Sequence, residues 1–296
     1  MDTRAPAPLL PDGIVVRPMR PDDLDDAERL SDLAFSRIDA HSTGRTPQRA
    51  AAWKARTAHL LAQDGAGCWV ADRDGRMVGL AVSLRRETLW ALATLAVHPD
   101  WQGRGVGHVL LQAAGTHARG ALRGMISSFS DPRAVRRYRT AGFDLHPQML
   151  LEGVVHVDGL EASRHVRDGT GGDLEWMDSL DRGLRGAGRG DDHALLRATH
   201  RSRVVDRAHR RGYAYVGEDH TVVLLAASDR RTAAELLTDA WLGAAGEVVR
   251  QPHVTAANQW ALDVGLAAGL SVRTEGYLCV RGLKPPTPYL HHGSLL

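Results

Sequence analysis

The sequence contains few cysteines and no long apolar run, which limits disulfides, cysteine-based metal sites and membrane spans. Its 296 residues include only two cysteines, Cys68 and Cys279, and each lies in an apolar strand-like run with no second cysteine or histidine at ligand spacing. Isolated cysteines of this kind are typical of small buried hydrophobic residues, so we expect neither a disulfide nor a metal ion. No run of about 18 apolar residues occurs, and the N-terminal segment has no apolar core of signal-peptide length. The sequence therefore predicts a cytoplasmic protein with no membrane partner.

The sequence also has no large excess of positive or negative charge. The 37 basic residues, of which only Lys54 and Lys284 are lysines, nearly balance 35 acidic residues, and the formal net charge is +2. No block of five or six like charges occurs along the chain. Because nonspecific attraction to nucleic acid depends on clustered positive charge, the sequence predicts no nucleic-acid partner.

The length of the chain favours two domains of about 150 residues each. Hydrophobic residues make up 43% of the sequence and charged residues 24%, which is typical of globular proteins with substantial cores. A stretch rich in glycine and aspartate at residues 157–172 is predicted to be a linker. We therefore predict domains at residues 1–156 and 173–296, the second with an extended C-terminal tail.

Hydrophobic periodicity in the first half predicts alternating strands and helices. Asp74 and Gly75 join two strand-like runs and suit the positive φ angles of a tight hairpin. Residues 89–97, "LWALATLAV", are apolar on both alternating faces, as expected for a central strand that is buried on both sides. Further elements are predicted as strands in "GIVVRPM", "GMISSF" and from Phe143 onward, and as helices from Pro21, over Pro47–Ala62, after Gly105 and over Pro132–Ala141.

Three glycines lie between the apolar strand and the following helix, in "WQGRGVGHVL" at residues 101–110. A helix N-terminus has unpaired N–H groups and a partial positive charge, and glycines allow a phosphate to approach the backbone closely. The pattern predicts a pyrophosphate site from Gln102 to Gly107, with the Arg104 side chain adding charge at its rim. The backbone amides predicted to line it are those of Gln102, Gly103, Arg104, Gly105, Val106 and Gly107. Neither a GxGxxG fingerprint nor a Walker loop is present.

Two motifs resemble those of the GNAT superfamily of acyl-CoA-dependent N-acyltransferases. "LAVHPDWQGRGVGHVLL" is similar to the family's acyl-CoA signature, with Gln102, Gly105 and Gly107 at the matching places. "AVRRYRTAGF" is similar to the later motif, in which a helical tyrosine, here Tyr138, precedes the phenylalanine of a Gly-Phe pair by five residues. The elements between Ile14 and about residue 155 also follow the family's order.

The resemblance implies acetyl-CoA as cosubstrate and a role for each matched residue. The backbone of Leu95, Ala96 and Val97 would pair with the pantetheine arm. The amides of residues 102–107, called the glycine turn below, would hold the pyrophosphate. Tyr138 would protonate the departing thiolate or donate a hydrogen bond to it.

Direct transfer to an amine also needs a proton acceptor, because most alkylamines are protonated at neutral pH. Some relatives use a glutamate inside the central strand, but residues 90–97 contain no ionisable side chain. We expect Glu87, the nearest carboxylate, to act as the base through water. His98 is a weaker alternative, and some multidomain relatives use a C-terminal carboxylate, which here would belong to Leu296.

The second half repeats the pattern of the first weakly. Ala96 corresponds to Ala226 at an offset of 130, and Phe143 corresponds to Leu270 at an offset of 127. The copy has no glycine in its turn, "AASDRRTAAELL", and Gly265 stands where Tyr138 would be expected. The predicted fold class is α/β, with two GNAT-like domains that each consist of a mixed, mostly antiparallel sheet flanked by helices. The second would be a degenerate copy that packs, dimerises or walls the substrate pocket; an unrelated α/β domain is the alternative.

The sequence thus predicts an acetyl-CoA-dependent N-acetyltransferase that acts on a small primary amine in a ternary complex. A small acceptor is favoured because no acidic groove or peptide-binding motif is visible. The layout resembles antibiotic-modifying acetyltransferases whose second domain forms a dimer, which implies a homodimer. One alternative is a non-catalytic acyl-CoA-binding regulator. Another is a protein or peptide N-acetyltransferase, with Arg37, His41 and Trp53 as candidate acceptor contacts.

Overall fold

The computed structural model describes residues 13–37 and 44–296. Packing divides the chain into two compact units. The first contains the described residues up to Arg85 together with Trp90–Ala121, and the second contains Arg86–Leu89 and Leu122–Leu296. This division does not coincide with the linker predicted at residues 157–172, so the predicted domain boundaries stay a prediction from the sequence pattern.

The first unit is built on four strands in the order β1-β2-β3-β4. The pairs β1–β2 and β2–β3 are antiparallel. The strands are β1 (Val15–Pro18), β2 (Cys68–Arg73), β3 (Arg76–Arg86) and β4 (Leu89–Val97), and the helices are α1 (Leu24–Ser36), α2 (Pro47–Asp64) and α3 (Val106–Gly115).

The predicted hairpin between β2 and β3 is confirmed. Asp74 and Gly75 have φ angles of 51° and 80°, which the turn requires and which glycine adopts without strain. The Gly75 amide donates a hydrogen bond to Oδ1 of Asp72 at 2.9 Å, so the aspartate that ends the apolar run also stabilises the turn.

The second unit contains two sheets. One has the strand order β5-β12-β6-β11 and the other β13-β10-β9-β8-β7. Its strands are β5 (Arg123–Ser128), β6 (Asp144–Val154), β7 (Arg167–Asp168), β8 (Arg201–Arg207), β9 (Arg210–Val216), β10 (Val222–Ala227), β11 (Val248–Thr255), β12 (Ser271–Arg281) and β13 (Tyr289–Leu290). Its helices are α4 (Pro132–Thr140), α5 (Leu174–Arg185), α6 (Asp192–Thr199), α7 (Arg230–Leu242) and α8 (Gln259–Ala267). The predicted α/β class, with mostly antiparallel sheets flanked by helices, is confirmed.

Strand β12, from the second half of the sequence, lies between two strands of the first half. It pairs antiparallel with β5 along one edge and with β6 along the other. The sheet that contains β5 and β6 is therefore complete only when residues 271–281 have joined it.

The order of elements in the first half recurs in the second. The series β1-α1-α2-β2-β3-β4-α3-β5-α4-β6 is followed by β7-α5-α6-β8-β9-β10-α7-β11-α8-β12. Identical order over ten elements is what an internal duplication produces. The structure thereby extends to the start of the second half a repeat that the sequence showed only in later elements.

A bidentate ion pair marks the start of both series. Arg17 donates to the two carboxylate oxygens of Asp23 at 2.8 and 2.8 Å. Arg167 donates to those of Asp173 at 2.9 and 2.7 Å, 150 positions further on. In each pair the arginine is in a strand and the aspartate precedes a helix, and sequence reasoning did not single out either pair.

The two cysteines are buried, as their apolar neighbours in the sequence predict. Cys68 and Cys279 are free and fully buried, and burial raises the pKa of each thiol to about 12, which makes both unreactive. The core of the second unit is formed mainly by β6, β9, β10 and β11 against α7 and α8, and it includes the fully buried Trp241. None of the helices in the described ranges combines the length and the apolar composition that a membrane crossing requires.

Candidate functional site

The end of β4 is less covered than its beginning. Leu89–Leu92 are buried on both faces. From Ala93 to Val97 burial alternates: Thr94 and Ala96 are buried, and the other three residues are half-buried. The prediction of burial on both faces is therefore correct for the first four residues and wrong for the rest. One face of the strand is partly open at Leu95 and Val97, in the segment predicted to pair with pantetheine.

A single 3-10 turn, Pro99–Trp101, follows β4 and carries the chain to the glycines. The Gln102 side chain donates from Nε2 to the carbonyl of Val97 at 3.0 Å and fastens the turn to the strand. The Gln102 amide donates to the carbonyl of Pro99 at 3.3 Å, so it already has a partner within the turn. Of the amides predicted to bind the pyrophosphate, that of Gln102 is therefore already used within the turn.

The two glycines that follow adopt backbone conformations that other residues rarely reach. Gly103 has a φ of 79° and Gly105 a φ of 86°. Gly105 is the N-cap of α3 and, being glycine, supplies no side chain to cap it. Among the described residues, none accepts a hydrogen bond from the amides of Gly103, Gly105, Val106 or Gly107. These unpaired amides at a helix N-terminus are a ready anion-binding group.

Gly79 allows α3 to begin where it does. A Cβ at this position of β3 would lie 2.8 Å from Cδ1 of Leu110, 3.1 Å from Cγ1 of Val106 and 3.3 Å from the carbonyl of Ala96. The first turn of α3 therefore packs directly on the backbone of β3. Sequence reasoning missed this residue, although an isolated glycine within a strand pattern signals a close approach of this kind.

Two arginines stack on Trp101, beside the glycine turn. The guanidinium carbon of Arg104 lies 4.8 Å from the centre of the ring, and that of Arg73, the last residue of β2, lies 4.7 Å from it. The sequence placed Arg104 at the rim of the site but did not identify Arg73, which the hairpin brings to the same indole.

Tyr138 lies on the short helix α4 in the second unit. The Asp131 carboxylate caps this helix by accepting from the amides of Arg133 at 2.8 Å and Ala134 at 3.2 Å. The Tyr138 side chain is 5% exposed, and its hydroxyl makes no hydrogen bond to any of the described residues. Burial, and secondly the Cys279 thiol, raise the pKa of Tyr138, so the phenol stays protonated and can donate. Gly142, with a φ of 86°, ends the helix as predicted.

The structure gives no support to Glu87 as the catalytic base. Glu87 lies in the turn before β4. Its carboxylate accepts a hydrogen bond from Nε of Arg182 at 2.7 Å. His98 caps the 3-10 turn, where its Nδ1 accepts from the amide of Asp100 at 3.3 Å.

The remaining candidates have structural surroundings of their own. Leu296 is buried, and an oxygen of its carboxylate accepts hydrogen bonds from Arg185 and Arg189. Trp53 is buried under the guanidinium of Arg45, 5.3 Å from the ring centre, and is therefore a packing residue. Arg37 is exposed after the end of α1, and His41 lies outside the described residues.

In the second half, two features that correspond to the glycine turn and the end of β4 are already satisfied by residues of the chain: the N-terminus of α7 and the edge of β10. The N-cap of α7 is Asp229, whose carboxylate accepts from the amide of Thr232 at 2.9 Å, where α3 has only Gly105. Strand β13 pairs with Leu225 and Ala226 of β10, which correspond to Leu95 and Ala96 at the offset of 130. The position of Tyr138 is taken by Gly265, where a Cβ would lie 2.7 Å from Leu151.

One group of described residues could hold a metal ion, although the sequence predicted none. Single ligand atoms of Asp178, Asp181 and His193 lie within 4.8 Å of one another. Arg189 already places its Nε 3.1 Å from Oδ2 of Asp181, which supplies positive charge to this carboxylate. Burial lowers the pKa of His193, which favours its neutral form. The group is therefore partly compensated without a cation.

The chain is similar to known acetyltransferases in sequence pattern and in fold. Residues 64–145 match the family model of the acetyltransferase (GNAT) domain. The whole fold is similar to a presumed acetyltransferase from Pyrococcus horikoshii, with 16% identity and a TM-score of 0.76 over 99% of each chain. A GCN5-related N-acetyltransferase from Sphaerobacter thermophilus shows 14% identity and a TM-score of 0.55 over 92% of this chain and 96% of its own. One from Kribbella flavida shows 15% identity and a TM-score of 0.55 over 90% of this chain and 70% of its own.

At these identities the solved structures show a shared fold. No curated protein matches the chain. The glycine turn and Tyr138, which carried the resemblance in the sequence, both lie inside the matched range of residues 64–145. Residues 64–145 therefore form an acetyltransferase (GNAT) domain, and the fold of the whole chain is similar to that of a solved structure described as an acetyltransferase.

Proposed function

We propose that this acyltransferase is an acetyl-CoA-dependent N-acetyltransferase that modifies a small primary amine by direct transfer in a ternary complex. The observation that carries the proposal is the set of unpaired amides at the start of α3, directly after the partly open end of β4. An uncharged backbone cradle at this place suits the diphosphate of a carrier thioester, while the edge of the strand suits the amide groups of its arm.

In this proposal the cosubstrate is bound by the first unit. The backbone of Leu95, Ala96 and Val97 pairs with the pantetheine arm as a neighbouring strand would. The pyrophosphate is held by the amides of the α3 N-terminus, and the helix dipole adds to their attraction. Gln102 has a supporting role, because its side chain fixes the turn through the carbonyl of Val97.

The transfer step forms one bond and breaks another. The amine nitrogen attacks the thioester carbonyl, the C–N bond forms, and the C–S bond breaks to release the thiolate of coenzyme A. The Tyr138 phenol stays neutral because its pKa is raised, and it donates a hydrogen bond to the departing thiolate, which takes a proton from solvent. The proton that the amine nitrogen loses as the amide forms passes to solvent. Positioning the amine against the thioester supplies much of the remaining rate.

We propose that the amine loses its proton to solvent, since residues 90–97 carry no ionisable group and Glu87 is paired with Arg182. Only the neutral amine attacks, so the rate should rise with pH up to the pKa of the acceptor, about 10 for an alkylamine. Acceptors of lower pKa should reach their plateau at correspondingly lower pH. A plateau at one fixed pH for all acceptors would instead identify a protein base.

We also propose that the second half is a degenerate GNAT copy that binds no acyl-CoA. The Asp229 carboxylate satisfies the start of α7 and would repel a phosphate, and β13 covers the edge of β10. Its role would then be packing or the formation of a homodimer. A cytoplasmic location stays a prediction from the sequence.

The proposal is tested by following the release of free thiol from acetyl-CoA with a panel of small primary amines. Tyr138→Phe should lower kcat by about tenfold or more, because a hydrogen bond to a charged leaving group is lost. Its melting temperature should stay near that of the wild type, since the hydroxyl has no partner among the described residues.

The same assay separates the alternatives. Transfer to peptides but to no small amine would support protein N-acetylation instead. Binding of coenzyme A without transfer to any acceptor would identify a regulatory protein. An unchanged kcat in Tyr138→Phe would remove this residue from the mechanism.

A further inference from the structure

We propose that Arg73 and Arg104, stacked on Trp101, form a binding site for the 3′-phosphate of the cosubstrate's adenosine. This inference rests on the proposed use of acetyl-CoA and adds a specificity to it. The protein would distinguish coenzyme A from dephospho-coenzyme A, which lacks only this phosphate.

The two guanidinium groups come from different elements and meet at one ring. Arg104 lies between Gly103 and Gly105 in the glycine turn, whereas Arg73 is the last residue of β2, just before the hairpin. Their guanidinium carbons lie 4.8 and 4.7 Å from the centre of the Trp101 ring. Stacking on an indole restricts a long side chain that solvent would otherwise leave mobile, so less entropy is lost when a ligand binds.

The chemistry of the neighbouring site indicates what these charges would bind. The diphosphate of coenzyme A would be held by neutral backbone amides at the start of α3. The 3′-phosphate is attached to the same ribose that carries this diphosphate at its 5′ carbon. It is a monoester with a charge of about −1.5 to −2 on one phosphate group, whereas each phosphate of the diphosphate carries a single charge. A planar guanidinium matches the oxygens of such a phosphate with two parallel hydrogen bonds.

The acidic residues near Arg73 compete only weakly for its guanidinium group. Asp74 Oδ2 lies 3.5 Å from Nε of Arg73, but the Asp74 side chain is 89% exposed, and such pairs contribute little. Asp72 faces Arg17 at 3.6 Å, and Asp100 lies 3.7 Å from Nδ1 of His98.

The test is the affinity of the full chain for coenzyme A and for dephospho-coenzyme A, measured by calorimetry without an acceptor. The wild type should prefer coenzyme A by about tenfold or more, the usual effect of a charged hydrogen bond. In Arg73→Ala the affinity for coenzyme A should fall towards that for dephospho-coenzyme A. Asp74→Asn, which removes the competing carboxylate and tolerates the same backbone, should increase the preference.

Arg76→Ala is the matched control. Arg76 is an exposed arginine on the other side of the same hairpin and opens β3, so its removal changes the net charge equally. It should leave the preference at the wild-type value. Equal effects of Arg73→Ala and Arg76→Ala would overturn the inference, because they would reveal general electrostatics rather than a site.

The two proposals fail in different ways. If the wild type binds both compounds with equal affinity, the phosphate site is refuted while the use of acetyl-CoA stands. If it binds neither compound, the proposed function is refuted and this inference falls with it.

Discussion

Gly79 is the residue whose replacement tests most directly whether the start of α3 forms the cofactor site. In Gly79→Ala the new Cβ would stand 2.8 Å from Cδ1 of Leu110 and 3.1 Å from Cγ1 of Val106. Carbon atoms in ordinary contact are about 3.5–4.0 Å apart, so the side chains of Leu110 and Val106, or the start of α3 that carries them, must shift. Val106 is the first residue of α3, and its amide is one of the unpaired donors.

The expected cost can be estimated from these distances. Overpacking of this kind typically destabilises by about 1–3 kcal/mol, and removing a glycine from a strand returns about 0.5–1 kcal/mol. We therefore expect a net loss of stability of up to about 2.5 kcal/mol, with a fall in melting temperature of about 2–4 °C for each kcal/mol. Coenzyme A should also bind more weakly, because the donors at the start of α3 are displaced.

Gly115→Ala is the matched control within the same helix. Gly115 ends α3, has an ordinary helical φ of −65°, and nothing lies within 4 Å of a Cβ built there. Alanine should stabilise the helix at this position by about 0.5–1 kcal/mol and leave the affinity for coenzyme A unchanged. Thermal melts and calorimetry on both variants give the comparison. If Gly79→Ala loses stability but binds coenzyme A as tightly as the wild type, the position of α3 does not govern cofactor binding and the site assignment is wrong.

Three further predictions concern the second half of the chain. Calorimetric titration should find one coenzyme A per chain, and a stoichiometry of two would show that the second copy is not degenerate. Asp229→Ala should lower stability to denaturant by about 1 kcal/mol through loss of the α7 cap, whereas coenzyme A affinity should not change; weaker binding would place Asp229 in the cofactor site. The hydrogen bond from Arg167 lowers the pKa of Asp173, so its stabilising contribution is complete above its unfolded pKa of about 4 and is lost as the pH falls through its lower folded pKa. Asp173→Asn should therefore reduce the steepness of acid unfolding monitored by circular dichroism, and an unchanged profile would contradict this assignment.

Local chemistry allowed much of the first unit to be predicted from the sequence. The Asp74–Gly75 hairpin, the extent of β4 and the glycine turn all follow from preferences that act over a few residues. The end of α4 at Gly142 was predictable for the same reason, since a left-handed residue is needed there. These features located the proposed cofactor site in the sequence.

What the sequence did not predict depends on contacts between distant residues. The insertion of β12 between β5 and β6, and the pairing of β13 with β10, are determined by packing over more than a hundred and about sixty residues respectively. No periodicity within a strand specifies its neighbour. The stacking of Arg73 on Trp101 and the ion pair of Glu87 with Arg182 could not be predicted for the same reason.

The position of β12 has a consequence for how the chain reaches its native state. As synthesis proceeds, β5 and β6 emerge long before residues 271–281. Until β12 forms, each therefore has one edge whose backbone groups lack their native partner. Exposed strand edges promote intermolecular association, and pairing over such a sequence separation is slow. The ribosome would have to release more than nine-tenths of the polypeptide before this sheet can close, so a fragment that ends at residue 156 should aggregate rather than fold into a working enzyme.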